Sequence, residues 1–176
     1  SLWKKYIRDD VTAAPGPIYE DLFRRYSEPH RRYHTPRHID RCLEQLDLAR
    51  NLMNDPDAVE MALWFHDVIY DPGENDNELK SAEWFTSIAR HSLEPAFARK
   101  VHDLILVTMH RTPPNGPDER YLVDVDLSSF GLPWDEFKRD SRSVREEFDF
   151  LSDEEFYPGQ IRFLKSLLRR KTLYST

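Results

Sequence analysis

The stretch AVEMALWFHDVIYDPG, residues 58 to 73, carries the pattern on which the fold prediction rests. Val59, Leu63 and His66 recur at helical spacing, which predicts a helix with one side facing a core. Asp67 follows His66 directly, and the flanking residues are mostly apolar. Burying ionisable groups is costly unless they are paired or bound to a metal. Partners for this His–Asp pair are therefore expected elsewhere in the chain.

Helical patterns continue on both sides of this stretch, and no pair of strands is evident. Apolar periodicity predicts helices over 17–28, 36–53, from 56 through the His–Asp pair, 77–92, 95–110, 135–151 and 153–173, with a short helical or turn segment at 123–131. RTPPNGPDER, residues 111 to 120, is rich in turn formers and is predicted as a loop. The fold class is therefore predicted to be all-α, a bundle of six to eight helices.

Composition excludes several classes of protein. The chain has 176 residues, enough for one domain with a sizeable core. Its net charge of −7 argues against a general binder of duplex nucleic acid or of an anionic membrane. Cys42 is the single cysteine, which excludes an intramolecular disulfide and is typical of the cytoplasm. We expect one cytoplasmic domain over residues 1–176 with no membrane partner, and the sequence leaves the oligomeric state open.

Four side chains could converge on a metal ion in this fold. In chain order they are His38, His66, Asp67 and Asp126, each near an apolar segment. Two imidazoles and two carboxylates leave positions open for water on a six-coordinate ion. Mixed nitrogen and oxygen ligands do not select one metal sharply, so Mn²⁺, Mg²⁺, Fe²⁺ and Zn²⁺ all stay open.

Two of these assignments have close competitors in the sequence. His34 lies one helical turn before His38 and could be the ligand in its place. Asp124 competes with Asp126, but residues two apart on a helix point in nearly opposite directions, so only one should reach the metal. The spacing leaves the choice between them open; with Asp126 as the ligand, Asp124 would cap the following turn.

Four blocks of this sequence together resemble a known superfamily. RRYHTPRHI (31–39), FHDVIYDPGENDNELKSA (65–82), VDVDLSSFG (123–131) and SRSVREEF (141–148) are similar, in that order, to signature blocks of a small group of predicted phosphohydrolases in the HD superfamily. The resemblance implies an HD-domain helical bundle that holds one or two divalent ions. It also implies the ligand choice of His38 and Asp126 beside the HD pair.

A second, local resemblance suggests separate roles for the two neighbouring histidines. YHTPRH, residues 33 to 38, is similar to a segment of class I cyclic nucleotide phosphodiesterases in which the first His donates a proton and the second binds metal. The resemblance implies that His34 is the general acid and His38 the ligand. Thr35 stands where that family has Asn, and overall similarity is otherwise low, so cyclic-nucleotide specificity is not implied.

The expected activity is that of a metal-dependent phosphohydrolase acting on a small phosphomonoester or phosphodiester, with nucleotides among the candidates. A divalent ion activates water for attack on phosphorus, His34 assists departure of the leaving group, and Asp67 has a catalytic role by bridging to a second ion. Substrate contacts are predicted from four side chains: Arg37, Lys80, His110 and Arg145.

Two other functions stay open at this point. A di-iron oxygenase of the same fold needs further histidine ligands between the HD pair and the last aspartate. Of the three histidines in that interval, His91 is interpreted as a surface residue, which leaves His102 and His110. A metal-containing binding module without catalytic activity is the other alternative.

Overall fold

The computed structural model describes residues 2–8 and 16–176, and within these ranges the chain is helical without strands. The nine α-helices of the described residues are α1 (Leu2–Lys5), α2 (Gly16–Tyr26), α3 (Pro36–Ala49), α4 (Pro56–Phe65), α5 (Asn77–Ala89), α6 (Pro95–Val107), α7 (Gly116–Asp126), α8 (Trp134–Glu147) and α9 (Asp153–Leu168). Two 3₁₀ turns, Arg50–Leu52 and Leu127–Gly131, extend α3 and α7. The all-α prediction is confirmed.

The structure corrects two details of the predicted element pattern. The helix count exceeds the predicted six to eight because α1 spans only four residues, too few to show a period. The predicted loop at 111–120 was wrong in its second half, because α7 begins at Gly116 and continues to Asp126. Pro117 at the start of this helix suits the first turn, where its missing N–H has no intrahelical partner to lose.

Helix α4 lies at the centre of the bundle and packs against α3, α6 and α7. Asp55 begins the helix, since its carboxylate accepts a hydrogen bond from the Ala58 N–H, and Pro56 occupies the first turn. Six of its ten residues are buried: Ala58, Val59, Met61, Ala62, Leu63 and Phe65. A helix this apolar on all sides is stable only where other helices surround it.

The His–Asp pair lies just beyond the end of α4, where the prediction had placed it within the helix. His66 is the C-cap residue, and its N–H donates to the Ala62 carbonyl. The chain turns at this point because the buried guanidinium of Arg31 donates to the carbonyl oxygens of Asp67 and Val68, at 2.7 and 3.1 Å. Arg31 also donates to the His34 carbonyl at 3.2 Å, which joins the loop before α3 to this turn.

Helix α9 is less deeply packed than the rest of the bundle. It begins with a capping box in which Ser152 and Glu155 exchange side-chain and backbone hydrogen bonds. Only Phe156 and Leu167 are buried among its sixteen residues. None of the described helices has the length and apolar character needed to cross a membrane.

Candidate metal centre

Four predicted ligands come together from three helix ends. His38 lies in the first turn of α3, His66 and Asp67 follow α4, and Asp126 is the last residue of α7. The carboxyl ends of α4 and α7 therefore both adjoin the site. Since a helix C-terminus carries partial negative charge, these two ends favour a cation there.

The polar atoms of these four residues are spaced like ligands of one ion. The two Nε2 atoms of His38 and His66 are 3.3 Å apart. Oδ1 of Asp126 lies 3.4 Å from each of them. Oδ2 of Asp67 lies 2.9 Å from Nε2 of His66 and 3.7 Å from that of His38. Ligands about 2.1 Å from an ion are about 3.0 Å apart at right angles and about 3.4 Å apart at tetrahedral angles, so this spacing suits a metal.

The orientation of His66 also suits metal binding. Its Nδ1 atom lies 2.9 Å from the Leu63 carbonyl oxygen, which can only accept a hydrogen bond. Nδ1 must therefore carry the proton, and in the neutral ring the lone pair is on Nε2, which faces the other ligands. Metal-binding histidines usually have such a partner on the second ring nitrogen.

Both carboxylates stay ionised in this environment. Burial by itself would raise the pKa of Asp67, but the charges of His66 and His34 outweigh it and hold that pKa below its ordinary range. Burial likewise opposes the ionisation of Asp126, and hydrogen bonds from imidazoles, first that of His110, lower its pKa well below the usual value. Ionised carboxylates are the form that binds metal.

The two buried imidazoles differ in protonation. Burial favours a neutral ring at both, and it lowers the pKa of His38. At His66 the negative charge of Asp67 outweighs burial, so the pKa is raised well above its ordinary value. The proton on His66 therefore offsets only part of the negative charge of the two carboxylates. A divalent ion in place of this proton would offset more of that charge, so the donor set fits a metal.

Cys42 lies behind His38, one helical turn further along α3. Its Sγ atom is 3.7 Å from Nε2 of His38, and with Asp126 these residues form a second group compact enough to surround an ion. Burial raises the pKa of this thiol well above its usual value, which disfavours the thiolate that binds metal. The oxygen and imidazole group is therefore the better candidate.

His34 lies close to the four predicted ligands but does not belong to their cluster. Its Nε2 atom is 3.9 Å from Oδ2 of Asp67, and its Nδ1 atom is 2.7 Å from Oε2 of Glu147. Burial lowers the pKa of His34, but the negative charges of Asp67 and Glu147 outweigh this and raise it above its ordinary value. The structure thus brings His38, rather than His34, among the other three predicted ligands.

Glu147 is a candidate functional residue that the sequence prediction missed. Its side chain is fully buried at the end of α8, where Oε1 accepts hydrogen bonds from the N–H groups of Arg32, Tyr33 and His34 at 2.7–2.9 Å. Oε2 accepts from the Tyr70 hydroxyl as well as from His34. These donors hold the pKa of Glu147 at about 2, although burial by itself would raise it. The available signal was its spacing, because Glu147 continues the helical stripe of Phe137 and Val144.

A cavity of about 230 Å³ opens onto His34 and three of the four ligands. Its wall continues from the ligand end through Tyr33 and Ser129 to an aromatic end formed by Phe130, Phe137 and Phe163. Asp140, Ser141 and Gln160 supply further polar groups. No lysine or arginine of the described chain lines this cavity, so its cationic groups are imidazoles and any bound metal.

Glu78 is a second functional candidate that the prediction missed. It lies in the first turn of α5 and lines the same cavity as His66, Asp67 and Asp126. Burial raises its pKa above the ordinary value, and the negative charge of Asp67 adds to the effect. The sequence signal was weak, because the loop and helix start at 74–78 contain several acidic residues.

His110 lines the same cavity, as predicted for a substrate-binding residue. Its Nε2 atom lies 3.1 Å from Oδ2 of Asp126, and its Nδ1 atom is buried without a hydrogen-bond partner in the described structure. The backbone of His110 has φ 53°, a conformation that costs free energy for a residue with a side chain. This turn directs the imidazole back toward Asp126.

Asp124 does not cap the turn that follows α7, which corrects that prediction. Its carboxylate accepts hydrogen bonds from the N–H groups of Ser175 and Thr176, and from the Thr176 hydroxyl. It thus binds the last residues of the chain on the side of α7 away from Asp126. The two aspartates do point in different directions, as helical geometry requires.

Three of the four predicted substrate contacts lie outside the lining of this cavity. Arg37 lines a separate groove between α3 and α7. Lys80 is exposed and pairs with Asp76 at 2.7 Å. Arg145 donates to the carbonyl oxygens of Phe148 and Leu151 and pairs with Asp153, so it stabilises the connection between α8 and α9.

Comparison of the chain with protein-family models, with curated proteins and with solved structures gives no match. Function is therefore inferred from the geometry and chemistry of the site.

Proposed function

We propose that this protein is a metal-dependent phosphohydrolase of HD type, acting on a small phosphorylated molecule. The observation that carries the proposal is that His38, His66, Asp67 and Asp126 meet at one end of a cavity. A carboxylate oxygen of each aspartate lies 2.9–3.7 Å from Nε2 of both histidines, which are themselves 3.3 Å apart. An ion held there would supply an activated water and neutralise charge on a phosphoryl oxygen.

In this proposal His34 donates the proton to the departing oxygen. It has the position for this role, since it borders the cavity beside Asp67 without belonging to the ligand cluster. Glu147 accepts a hydrogen bond from the Nδ1–H group of His34 and stabilises the imidazolium, so Nε2 is the atom left to donate a proton toward the cavity. Proton donation by a positioned side chain contributes about 10²–10⁴-fold to a rate.

Glu78 accepts a proton from the attacking water in the same proposal. A carboxylate with a raised pKa is a better proton acceptor near neutral pH than an ordinary one. Glu78 borders the cavity and is separate from the ligand cluster, so this role does not conflict with metal binding.

The cavity favours a small substrate with few negative charges. Its volume of about 230 Å³ is small for a ligand site, and Asp140 and Glu78 add negative charge to that of the ligands. Because no lysine or arginine lines the cavity, the negative charge of a phosphate would be neutralised by the metal, His34 and His110. A monoanionic phosphodiester therefore fits this cavity better than a polyanion, and a nucleoside phosphate is within the proposed class.

The test couples metal analysis with activity. Protein purified without chelator is assayed for Mn, Mg, Fe and Zn, and the metal-loaded protein is then screened against phosphomonoesters, nucleotides and phosphodiesters, with Asp126→Asn as the control. Bound metal and turnover that both disappear in the variant are expected. Bound metal without any turnover would instead indicate a metal-containing binding module.

A di-iron oxygenase is the second candidate, and one contact favours it. His110 lies 3.1 Å from Asp126 and could extend the ligand set. The other histidine that this function would require, His102, pairs with Asp103 and lines a different surface pocket. The hydrolase is therefore the better supported of the two, and two bound irons lost on His110→Ala would reverse that preference.

A further inference from the structure

Helix α9 has a second apolar stripe that points away from the bundle. Its inner stripe, Phe156 and Leu167 with Phe163 between them, faces the protein. The outer stripe consists of Tyr157, Ile161, Leu164 and Leu168. Tyr157, Ile161 and Leu168 are 45, 47 and 84% exposed. Leu164 is partly buried, so the outer stripe is open to solvent mainly at these three positions.

The spacing of the outer stripe is that of a helix–helix seam. Steps of four, three and four residues separate Tyr157, Ile161, Leu164 and Leu168, which is the a/d spacing of a heptad repeat. Such a stripe fits a second helix of the same pattern laid alongside it.

The distribution of charge along α9 indicates which helix would pack against the outer stripe and in which orientation. The first turn is acidic, with Asp153, Glu154 and Glu155. Lys165 lies in the last turn, and Arg169, Arg170 and Lys171 follow the helix directly. These four basic residues make no ion pair within the described structure. An antiparallel copy of α9 would place its basic end beside this acidic end, and the reverse contact would form at the same time.

We propose that the outer stripe of α9 is a dimer interface, formed with α9 of a second copy of this chain in antiparallel orientation. Two-fold symmetry makes such a contact self-complementary, since each contact between two positions occurs twice. With the seam centred between Ile161 and Leu164, Tyr157 packs against Leu168 of the second copy, and Ile161 against its Leu164. The acidic first turn, with Glu154, then lies beside the basic residues that follow α9 in the second copy.

The first test is the oligomeric state of the full chain in solution. Sedimentation or light scattering at about 100 µM should show a dimer, in the micromolar affinity range of a modest interface. Ile161→Glu should weaken dimerisation at least about tenfold, because it places a charge in the centre of the seam. The matched control is Leu48→Glu on α3, a leucine that is 81% exposed outside α9. A monomeric wild type at that concentration, or equal loss in the control, overturns the proposal.

The second test determines the direction of the pair. Single variants Tyr157→Cys and Leu168→Cys are oxidised separately and as an equal mixture, and native Cys42 does not interfere because it is 1% exposed. Antiparallel packing predicts disulfide-linked dimers mainly in the mixture. Efficient linkage of Tyr157→Cys with itself would show parallel packing and contradict the proposal. Reversing one charge, Glu154→Lys, should weaken the dimer, and adding Lys171→Glu should restore it.

Discussion

The Nδ1 atom of His34 lies 2.7 Å from Oε2 of Glu147, although the two residues are 113 positions apart in the chain. The same carboxylate accepts hydrogen bonds from the backbone N–H groups of Arg32, Tyr33 and His34. A single buried side chain at the end of α8 therefore sets both the backbone of the loop before α3 and the direction of the His34 ring.

Glu147 is expected to make the free energy of unfolding depend on pH in the acidic range. Its pKa is about 2 in the folded protein, against an ordinary value of 4.5, so its stabilising effect is complete above about pH 5 and is lost as pH falls toward 2. Glu147→Gln should lower the free energy of unfolding by up to about 3 kcal/mol at neutral pH. The difference from wild type should shrink progressively below pH 4.5 in urea unfolding curves.

Glu146→Gln is the matched control for this measurement, because Glu146 is the preceding residue of the same helix and is exposed to solvent. It should leave stability within about 0.5 kcal/mol of wild type. A difference between Glu147→Gln and wild type that stays constant down to low pH would contradict the role of the ionised carboxylate.

Replacing His34 should separate catalysis from metal binding. His34→Ala is expected to retain metal and to lose about 10²–10⁴-fold in turnover, since only the proton donor is removed. Asp67→Ala should lose the metal itself. Elemental analysis and steady-state kinetics on both variants check this, with the exposed His30→Ala as a control. Equal loss of metal from the His34 and Asp67 variants would refute the division of roles.

The two aspartates at the end of α7 provide a matched pair of substitutions. Asp126→Asn should weaken metal binding by at least about 10- to 100-fold, the range already seen when only a hydrogen-bond partner of a metal ligand is lost. Asp124→Asn should leave metal binding unchanged, because its carboxylate holds the backbone of Ser175 and Thr176. Metal titration of the two proteins distinguishes them, and equal losses would exclude the proposed ligand assignment.

Glu78→Gln should lower turnover while the metal stays bound. The amide cannot accept a proton from water, but it keeps the size of the side chain in the cavity. Glu83→Gln, at an exposed position of the same helix, is the control. Rate constants at saturating substrate and metal content provide the readout, and an unchanged rate in Glu78→Gln would remove this residue from the proposed mechanism.

Arg145 should act on stability and leave substrate affinity unchanged. Arg145→Ala removes hydrogen bonds to Phe148 and Leu151 and the ion pair with Asp153, which should cost about 1–3 kcal/mol of unfolding free energy. KM should not change, since the guanidinium lies outside the cavity. Arg142→Ala, at an exposed position of α8, is the control. A raised KM with unchanged stability would restore the substrate role first predicted for Arg145.

The positions of most helices along the chain could be predicted from sequence because apolar periodicity is a local property. Pro56 after Asp55 and the apolar run that follows were enough to predict α4. The start of α7 was not, because Gly116 and Pro117 are turn formers in isolation, and the structure shows them in the first turn of a helix. Tertiary packing of Leu122 and Val125 offsets that weak local preference.

The sequence by itself determined the all-α class and the kinds of group available to the site: two imidazoles and two carboxylates set among apolar residues. Only the tertiary structure decided which atoms meet. In the folded chain His38 lies beside His66, and Asp124 binds the end of the chain instead of joining Asp126. Arg145 contacts the backbone outside the cavity, and Glu147 is hydrogen-bonded to His34. The physical reason is that these contacts join residues far apart in the chain, and their distances depend on how the helices pack rather than on any local pattern.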